Sequence, residues 1–586
     1  TLDTMVVEAD AVKNKFGDTI TEQSYYRTGG DVKVITREEI EKRHYTDLTE
    51  AIKRIPGVTF QNPGYRGGEY GYQFYNNGVS INGDTRVIVL VDGRRVDNAA
   101  STRVGSNTKS GSKSTGVNLD QVTNMENVDK IEVIKGPGAS VYGSDATGGV
   151  INIITRKGGD QNVGSIDLST GSWHKHKYAI SYSGSAGDDN SWHYFISANR
   201  DMSGDTGYKD GIVGSNGSLG GSKWKEDGVN FRVDKDFNDK QNLKVWYNFK
   251  EGKDGYPIAV PNMKYWNEKD WNDIIFKATV GQLDANNKLV GGTLTGDAKN
   301  PGYHNLYALD GQVYGSFSRF KNNDWDVQYT FNKENGMESF IRVYDQNHRY
   351  AHRDKYKWYV NGGSAADAYK AAFPNGATNE QLSKWISENL APFPDGDQQK
   401  VKEWLEKTGG AAQEPTRWNE EKNRGVQLQY AKTVGINDII ASVTYDKAKN
   451  FSKSIDNATG AIKTSHVDRK STTAYIQDKI HLSDKLDITP SLRYAKYSSF
   501  ETTNANGTTQ GKGDTHLLTP VINTQYMFDD TSSMYFGWTK VFRPLKQGDY
   551  TSVDGVFKTP LDDEKGDAWT LGLRKDLSDK TSVAVN

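Results

Sequence analysis

The feature that most constrains the fold is an alternation of apolar and polar residues that recurs after about residue 160. In the segment 177–182, KYAISY, aromatic or aliphatic residues occupy every second position. Successive side chains of a β-strand point to opposite faces, so such a segment has one apolar face. The same period recurs at residues 243–250, 426–430, 439–446 and 569–574. This repetition predicts a large antiparallel sheet.

The connections between the predicted strands fall into two classes. Tight polar turns are predicted near residues 187, 238, 436, 483 and 578, whereas residues 251–322 and 350–422 each form one long excursion. The second excursion is expected to contain helices around AADAYKAAF, NEQLSKWISENL and QQKVKEWLEK. Short turns that alternate with long loops are typical of an outer-membrane barrel, and a compact soluble domain rarely contains such loops.

Composition excludes several other classes of protein. The 586 residues are 35% apolar and 11% aromatic and have a net charge of −2, which argues against disorder and against a nucleic-acid partner. The chain has no cysteine and therefore no disulfide. No apolar run approaches the roughly 18 residues that a membrane helix needs. Barrel strands remain compatible with this, since each shows only about ten alternating residues.

The residues before Gly158 follow a different pattern. DVKVI predicts a strand, and Leu48, Ile52 and Ile55 lie at helical spacing before a stop at Pro56-Gly57. Residues 87–91 predict a buried strand that ends in an Asp-Gly turn, and VDKIEVIKG predicts another strand. These elements predict a small α+β domain of roughly 150 residues.

A glycine-rich stretch, IKGPGASVYGSDATGGVINIITRKG, raises the question of a nucleotide site. A phosphate-binding P-loop needs a lysine after its last glycine, but Gly143 is followed by Ser144. A dinucleotide site needs a helix after the glycines, whereas GGVINIIT is β-branched and predicts a strand. The glycines are therefore not expected to form a nucleotide site.

Three segments resemble the TonB-dependent outer-membrane receptors. DTMVVEA resembles the TonB box, VIVLVDGRRV with the glycine-rich stretch resembles the plug signature, and the hairpins resemble the barrel. The resemblance implies an all-β fold, a transmembrane antiparallel β-barrel of 22 strands whose lumen holds an N-terminal α+β plug domain. The implied division is 1–25 TonB box and linker, 26–160 plug and 161–586 barrel. It further implies a transporter in the outer membrane of a diderm bacterium, without enzymatic activity. In such a plug the glycines of the glycine-rich stretch would be structural, allowing tight turns and close approach to the barrel wall.

The N-terminal box is expected to bind TonB, which is coupled to ExbB–ExbD in the inner membrane. A Val-rich, Pro-free extended segment is suited to adding a strand to the open sheet edge of a partner. If the protein is exported, Thr1 is expected to be a processed terminus. The predicted TonB-binding residues are Asp3, Thr4, Met5, Val6, Val7, Glu8 and Ala9.

Ligand contacts are expected at two plug apices, residues 62–77 and 98–116. Their aromatic and cationic side chains fit an anionic ferric complex, a metal chelate that would be held by stacking and charge attraction. No resident cofactor or metal is expected. The predicted ligand-binding residues are Tyr65, Arg66, Tyr70, Tyr72, Phe74, Tyr75 and Arg103.

The resemblance favours a ferric siderophore, because the long second apex is similar to that of catecholate-siderophore receptors. Cobalamin and haem stay open as alternatives, although no histidine lies in the late segment 542–569 where haem receptors carry one. A passive adhesin or enzyme barrel without a plug is the alternative from another class. Four histidines at short spacing are candidate metal ligands or ordinary surface residues: His174, His176, His348 and His352. Outer-membrane lipids and lipopolysaccharide are further expected partners.

Two features depart from the family pattern. Asn82 stands in VSING where the family has an arginine, which puts the charge network between plug and barrel in doubt. The hairpins supply about fifteen strands, C-terminally incomplete against the 22 of the family. Because an open sheet leaves unpaired backbone groups in lipid, the remaining strands are expected either after residue 586 or on a second polypeptide.

Overall fold

The computed structural model describes the chain in blocks separated by gaps. Its described residues are 11–13, 19–21, 31–60, 79–97, 100, 105–107, 112–114, 117, 119–136, 148–204, 206–209, 216–220, 223–255, 258–260, 317–353, 417–455, 462–503, 509–545, 562–578 and 581–586.

The N-terminal domain is built on a five-stranded mixed sheet. The strands are β3 (Asp31–Ile35), β6 (Val87–Val91), β7 (Arg94–Arg95), β10 (Val128–Lys135) and β11 (Gly149–Thr155). They lie in the order β3-β10-β11-β6-β7, where β11 pairs in parallel with β6 and the other neighbours are antiparallel. The predicted buried strand at 87–91 and its Asp-Gly turn are confirmed, since Asp92 and Gly93 both have positive φ angles.

The predicted single helix is two helices, α1 (Arg37–Arg43) and α2 (Leu48–Ile52). Thr36 caps α1 by accepting from the Glu39 N–H, and Asp47 caps α2 by accepting from the Glu50 N–H. His44 ends α1 in the left-handed region, with a φ of 53°. Each cap satisfies a backbone donor that a helix start leaves unpaired. Short 3-10 helices lie at Leu119–Gln121, Met125–Asn127 and Ser172–His174.

The large sheet has fifteen antiparallel strands, each paired with its neighbours in chain order. This matches the number predicted from the sequence. The strands are β12 (Val163–Gly171), β13 (Lys175–Ala186), β14 (Trp192–Ser203), β17 (Trp224–Asn238), β18 (Gln241–Gly255), β20 (Phe317–Glu334), β21 (Met337–Arg353), β22 (Arg417–Val434), β23 (Asn437–Ile455), β24 (Ile462–Ser483), β25 (Leu486–Tyr497), β28 (Thr515–Asp529), β29 (Ser532–Arg543), β30 (Glu564–Ser578) and β31 (Thr581–Val585). Within the described residues, β12 and β31 each pair with one neighbour and form the edges.

Shorter strands form separate small sheets. These strands are β1 (Ala11–Lys13), β2 (Thr19–Thr21), β4 (Val58–Phe60), β5 (Val79–Ile81), β8 (Gly105–Asn107), β9 (Ser112–Ser114), β15 (Thr206–Lys209), β16 (Asn216–Gly220), β19 (Ile258–Val260), β26 (Phe500–Thr503) and β27 (Thr509–Lys512). Strands β4 and β5 pair around the first predicted apex, and β8 and β9 pair within the second.

The two faces of the large sheet have opposite chemistry. On β13, Tyr178 and Ile180 are 48% and 57% exposed, whereas Lys177 is 4% exposed. The apolar face therefore points away from the protein, and the polar inner face contacts the N-terminal domain. Trp246 is an exception on β18, since it is 1% exposed and joins the core of the N-terminal domain. None of the helices in the described ranges is long and apolar enough to cross a bilayer.

Aromatic rings cover glycines on neighbouring strands of the large sheet. Tyr344 pairs with Gly425, and a Cβ at Gly425 would lie 2.3 Å from the tyrosine ring. The same arrangement pairs Tyr535 with Gly572. A glycine exposes backbone that an aromatic ring on the next strand can cover, which stabilises the strand pair. These glycines therefore make room for a neighbouring ring.

The long excursions are shorter than predicted, because the strands extend into them. Strand β18 continues to Gly255 and β20 starts at Phe317, while β21 ends at Arg353 and β22 starts at Arg417. Both excursions leave the same end of the sheet, here called the loop end, and the tight turns lie at the opposite, turn end. The helices predicted within 350–422 lie outside the described residues.

The glycine-rich stretch is described only at its ends. A Cβ at Gly148 would lie 2.7 Å from the Asp84 carbonyl oxygen, and one at Gly149 would lie 2.3 Å from that of Ile134. These two glycines thus let main-chain segments of the N-terminal domain lie close to one another. The expected contact with the barrel wall is wrong for these two glycines, whereas Gly136 faces Thr570 of β30. Gly138 and Gly143 lie outside the described residues.

Candidate functional site

The candidate site is the interface at which the N-terminal domain meets the inner face of the large sheet. Its centre is an ion cluster of Arg94, Asp326 and Arg342, whose side chains are each 2% exposed. Arg342 Nε donates to both Asp326 oxygens at 2.9 Å, and Arg94 Nε donates to Oδ2 at 3.0 Å. The Asp326 carboxylate thus binds one guanidinium from the N-terminal domain, that of Arg94, and one from the large sheet, that of Arg342. Such buried charges are costly unless paired.

Aromatic rings complete the surroundings of Arg94. Its guanidinium carbon lies 5.8 Å from the centre of the Trp246 ring and 5.6 Å from that of Tyr344. Both distances are within the range of cation–π attraction. The terminal Nη1 and Nη2 atoms are buried without a hydrogen-bond acceptor in the described structure. The rings therefore supply part of the stabilisation that these donors lack.

Asp92 forms a second contact through the turn that precedes Arg94. Its carboxylate accepts from the Thr155 N–H at 2.9 Å and from Lys244 Nζ of β18 at 3.2 Å. Burial alone would raise the pKa of Asp92, but Lys244, Arg232 and the Thr155 hydrogen bond hold this pKa well below its usual range. Asp92 therefore stays ionised at neutral pH and keeps its attraction for the sheet.

Side chains of the sheet also bind main-chain carbonyls of the segment 119–127. Asn322 donates to Gln121 O at 2.9 Å, and Asn248 donates to Val122 O at 3.0 Å. An ion pair between Lys177 and Glu126, at 2.5 Å, lies beside them. Buried carbonyls without a main-chain donor need such side-chain donors. The inner face thus holds this segment, with its two short 3-10 helices, in place.

The second predicted apex begins at the loop end of the sheet. Ala100 is fully buried and packs against Ala448, Val467, Phe500 and Leu545. The partners lie toward the loop ends of β23 and β24, just after β25 and just after β29. The residues that follow Ala100 therefore start from the end of the sheet where the long excursions leave.

The predicted binding residues lie outside the described residues. This holds for the TonB box, Asp3 to Ala9, for the six residues of the first apex and for Arg103. Strands β4 and β5 bring the two ends of the first apex together, since Phe60 pairs with Val79. All of these assignments stay predictions.

The doubt raised by Asn82 is resolved by other residues. Asn82 lies in a turn with a φ of 52°, and its N–H donates to Gly57 O at 2.8 Å within the N-terminal domain. Charged contacts to the sheet come instead from Arg94, Asp92 and Glu126, and from Arg86, which lies 3.6 Å from Glu564. A charge network between the two parts therefore exists without an arginine at position 82.

The four histidines do not converge. His174 lies at the loop end just before β13, and His176 lies at the start of β13, whereas His348 is buried on β21 with its Nε2 2.9 Å from Asp324 Oδ1. His352 lies on the same strand, nearer the loop end. Among the described residues, no group of three or more His, Asp or Glu side chains is arranged to hold a metal ion.

Sequence reasoning missed the ion cluster, although a signal was present. Asp324, Asp326 and Gln328 occupy alternate positions of the sequence, as residues on one face of a strand do. Charges at the centre of a strand face need a partner when that face is buried. The Arg94 that follows the predicted Asp-Gly turn offered such a partner, but the pairing joins residues 232 positions apart.

Comparison with protein-family models gives two matches. Residues 25–150 match the model described as TonB-dependent Receptor Plug Domain. Residues 270–585 match the model described as TonB dependent receptor-like, beta-barrel. The second match alone covers more than half of the 586 residues.

Solved structures share the fold at low sequence identity. The ferric yersiniabactin uptake receptor FyuA from Yersinia pestis is 15% identical with a TM-score of 0.58, covering 94% of this chain and 70% of FyuA. The siderophore receptor PiuA from Acinetobacter baumannii is 13% identical with a TM-score of 0.60, covering 98% of this chain and 74% of PiuA.

Curated relatives match over a shorter stretch. The iron-regulated outer membrane virulence protein of Vibrio cholerae is 35% identical over 167 residues, which are 28% of this chain and 22% of the relative. The vitamin B12 transporter BtuB of Vibrio cholerae is 33% identical over 170 residues, 29% of this chain and 23% of BtuB. The alignments thus span about a quarter of the length of these relatives.

We predict that Asp326→Asn will strongly lower the melting temperature of the detergent-purified protein. The change removes the carboxylate that binds both Arg94 and Arg342, which should lower the free energy of unfolding by about 3–5 kcal/mol. Asp345→Asn is the matched control, because Asp345 pairs with Arg424 on the exposed face. Loss of this exposed ion pair should lower the free energy of unfolding by only about 0–1 kcal/mol. Equal melting temperatures for the two variants would show that the cluster does not hold the interface.

Proposed function

Because this chain belongs to the TonB-dependent outer-membrane receptor family, we propose that it imports a ferric siderophore with energy delivered through TonB. The family is one of receptors rather than enzymes, and its β-barrel fold resides in the outer membrane. The alternative of a barrel without a plug is contradicted by the match of residues 25–150 to the plug model.

The observation that carries the proposed ligand is the position of the second apex. Ala100 is anchored at the loop end, the side where extracellular loops lie, and the sequence after it contains the cationic residues Arg103, Lys109 and Lys113. The first apex adds Arg66 and several tyrosines. Fixed cations beside aromatic rings suit an anionic, aromatic iron chelate.

The names of similar proteins support iron more than other ligands. Two of the similar structures are siderophore or ferric-siderophore receptors, and the relative from Vibrio cholerae is described as iron-regulated. Cobalamin is the second candidate, because BtuB is 33% identical over its aligned stretch. Haem has no comparable support here.

TonB is the proposed partner of residues 3–9, with ExbB–ExbD as the source of energy. A strand added to the sheet edge of a partner is held mainly by main-chain hydrogen bonds. Such bonds need free N–H groups, and the segment TMVVEA contains no proline.

We expect Val6→Pro to abolish uptake of radioactive ferric siderophore by cells while leaving ligand binding to whole cells unchanged. Proline removes a main-chain donor that strand addition needs. Val6→Thr keeps the donor and a β-branched side chain, and it should import at close to the normal rate. Normal uptake by the Val6→Pro variant would contradict the role of this segment.

Ligand identity is tested by thermal shift with ferric enterobactin, a ferric hydroxamate, cyanocobalamin and haemin. A ligand at about 100 times its dissociation constant stabilises the folded protein by about 2.7 kcal/mol. We expect the catecholate complex to raise the melting temperature most, and Arg66→Ala or Arg103→Ala to reduce that shift. If cyanocobalamin alone raised the melting temperature, the imported ligand would be cobalamin and not a ferric siderophore.

A further inference from the structure

A buried arginine on the inner face of the large sheet joins the starts of two loops at the loop end. Arg469 of β24 is 1% exposed. Its Nε donates to the Ser498 carbonyl at 3.1 Å, and its Nη1 donates to the Leu545 carbonyl. Ser498 begins the connection from β25 to β28, and Leu545 lies at the start of the connection from β29 to β30. One guanidinium therefore fixes two loop starts to a third strand.

Two aromatic rings lie against the same guanidinium. The Arg469 guanidinium carbon lies 5.2 Å from the centre of the Tyr497 ring and 4.6 Å from that of Phe500. Cation–π attraction is stronger where water is excluded, and both rings are buried. A guanidinium presents its N–H donors in a fixed plane, which allows it to bind two carbonyls while its faces contact rings. A lysine at this position would lack that geometry.

The same two loops are joined a second time at the other end of the β29–β30 connection. Lys512, at the end of β27, lies 2.6 Å from Asp562 and 4.0 Å from Asp563. The Asp563 carboxylate in turn accepts from the Leu545 N–H at 2.9 Å. The connection 544–563 is therefore tied to the connection 498–514 both where it starts and where it ends.

The two loop starts form part of the surface on which the second apex is anchored. Ala100 packs against Phe500 and Leu545, and also against Ala448, which stands opposite Arg469 in the strand register. Arg469 therefore contacts both of the loop residues that cover Ala100. A shift of either loop start would remove part of the surface that buries Ala100. The position of the second apex thus depends on the loop contacts of Arg469.

We propose that Arg469 is a positioning residue for ligand binding, because it fixes the surface from which the second apex starts. The inference rests on the proposed function, in which cationic residues after Ala100 bind the ligand. Arg469 is buried beneath both loop starts and acts through them, without touching the ligand. If its contacts are lost, the apex and the loops must be ordered when the ligand binds, which weakens binding. The later step driven through TonB is unaffected.

The first test needs no ligand and uses hydrogen–deuterium exchange of the detergent-purified full chain. Arg469→Gln should speed exchange by about tenfold or more in peptides that cover Ala100, Ser498 and Leu545, because local opening becomes easier there. Exchange in β10 and β11 should stay at the wild-type rate. Arg424→Gln changes an exposed arginine of the outer face and is the matched control, which should exchange as the wild type does. Unchanged exchange in all three peptides of the Arg469→Gln protein would overturn the proposal.

The second test measures equilibrium binding of ferric enterobactin to whole cells and separates affinity from the number of sites. Arg469→Gln should raise the dissociation constant by about tenfold or more at an unchanged number of sites, and uptake at saturating ligand should stay near the wild-type rate. Arg469→Lys, which keeps the charge without the planar donors, should give an intermediate value. Ala100→Leu overfills the same contact and should also weaken binding.

Two other outcomes have distinct meanings. Fewer sites with an unchanged dissociation constant would show that Arg469 only maintains folding, and would contradict the proposal. If the wild type itself does not bind ferric enterobactin, the proposed ligand is wrong, and the exchange measurement alone decides whether Arg469 positions the second apex.

Discussion

The polar inner face of the large sheet is the constraint on which the rest of the structure depends. A sheet whose apolar side chains face outward must place its polar side chains inward, where they need partners. The N-terminal domain supplies these partners through Arg94, Asp92 and the carbonyls of residues 121 and 122. Without that domain, buried charges such as Asp326 and Arg342 would lie at the wall of an open space.

The interface differs in kind from the interior of the N-terminal domain. That domain has its own apolar core of residues from α1, α2 and its strands, which Trp246 joins from the sheet. Its contacts with the wall include many ion pairs and hydrogen bonds, beside apolar contacts around Trp246, Val541 and Ala100. Polar contacts can be exchanged for contacts with water at small net cost, while a buried apolar surface cannot. A domain held in this way can change its position in the barrel while its own core stays folded.

Much of this architecture was predictable from the sequence because it follows from local patterns. Alternation of the kind seen at 177–182 predicted the strands and their number, and the Asp-Gly signal predicted the turn after β6. The family resemblance added the domain order. The ends of the strands were less predictable, since β18 and β20 extend beyond the last alternating residues into charged positions.

The ion cluster could not be predicted in the same way. Arg94 meets Asp326 across 232 positions of the sequence. Periodicity assigns a residue to a face, but it does not give the register between distant strands. The residues predicted for ligand and TonB binding lie in the segments outside the described residues, so their assignment still rests on sequence and resemblance.

The most direct test of the account is to fix the N-terminal domain to the wall and measure transport. A Cβ at Gly136 would lie 3.5 Å from Thr570 Cγ2, and the chain has no cysteine of its own, so Gly136→Cys with Thr570→Cys places two thiols near each other for a disulfide. Gly136 has a φ of 82°, so the single variant Gly136→Cys also controls for backbone strain. The oxidised protein should bind its ligand but fail to import it, reductant should restore uptake, and Gly136→Cys alone should transport. Uptake by the oxidised protein at the rate of the reduced one would contradict the claim that this domain moves against the sheet during transport.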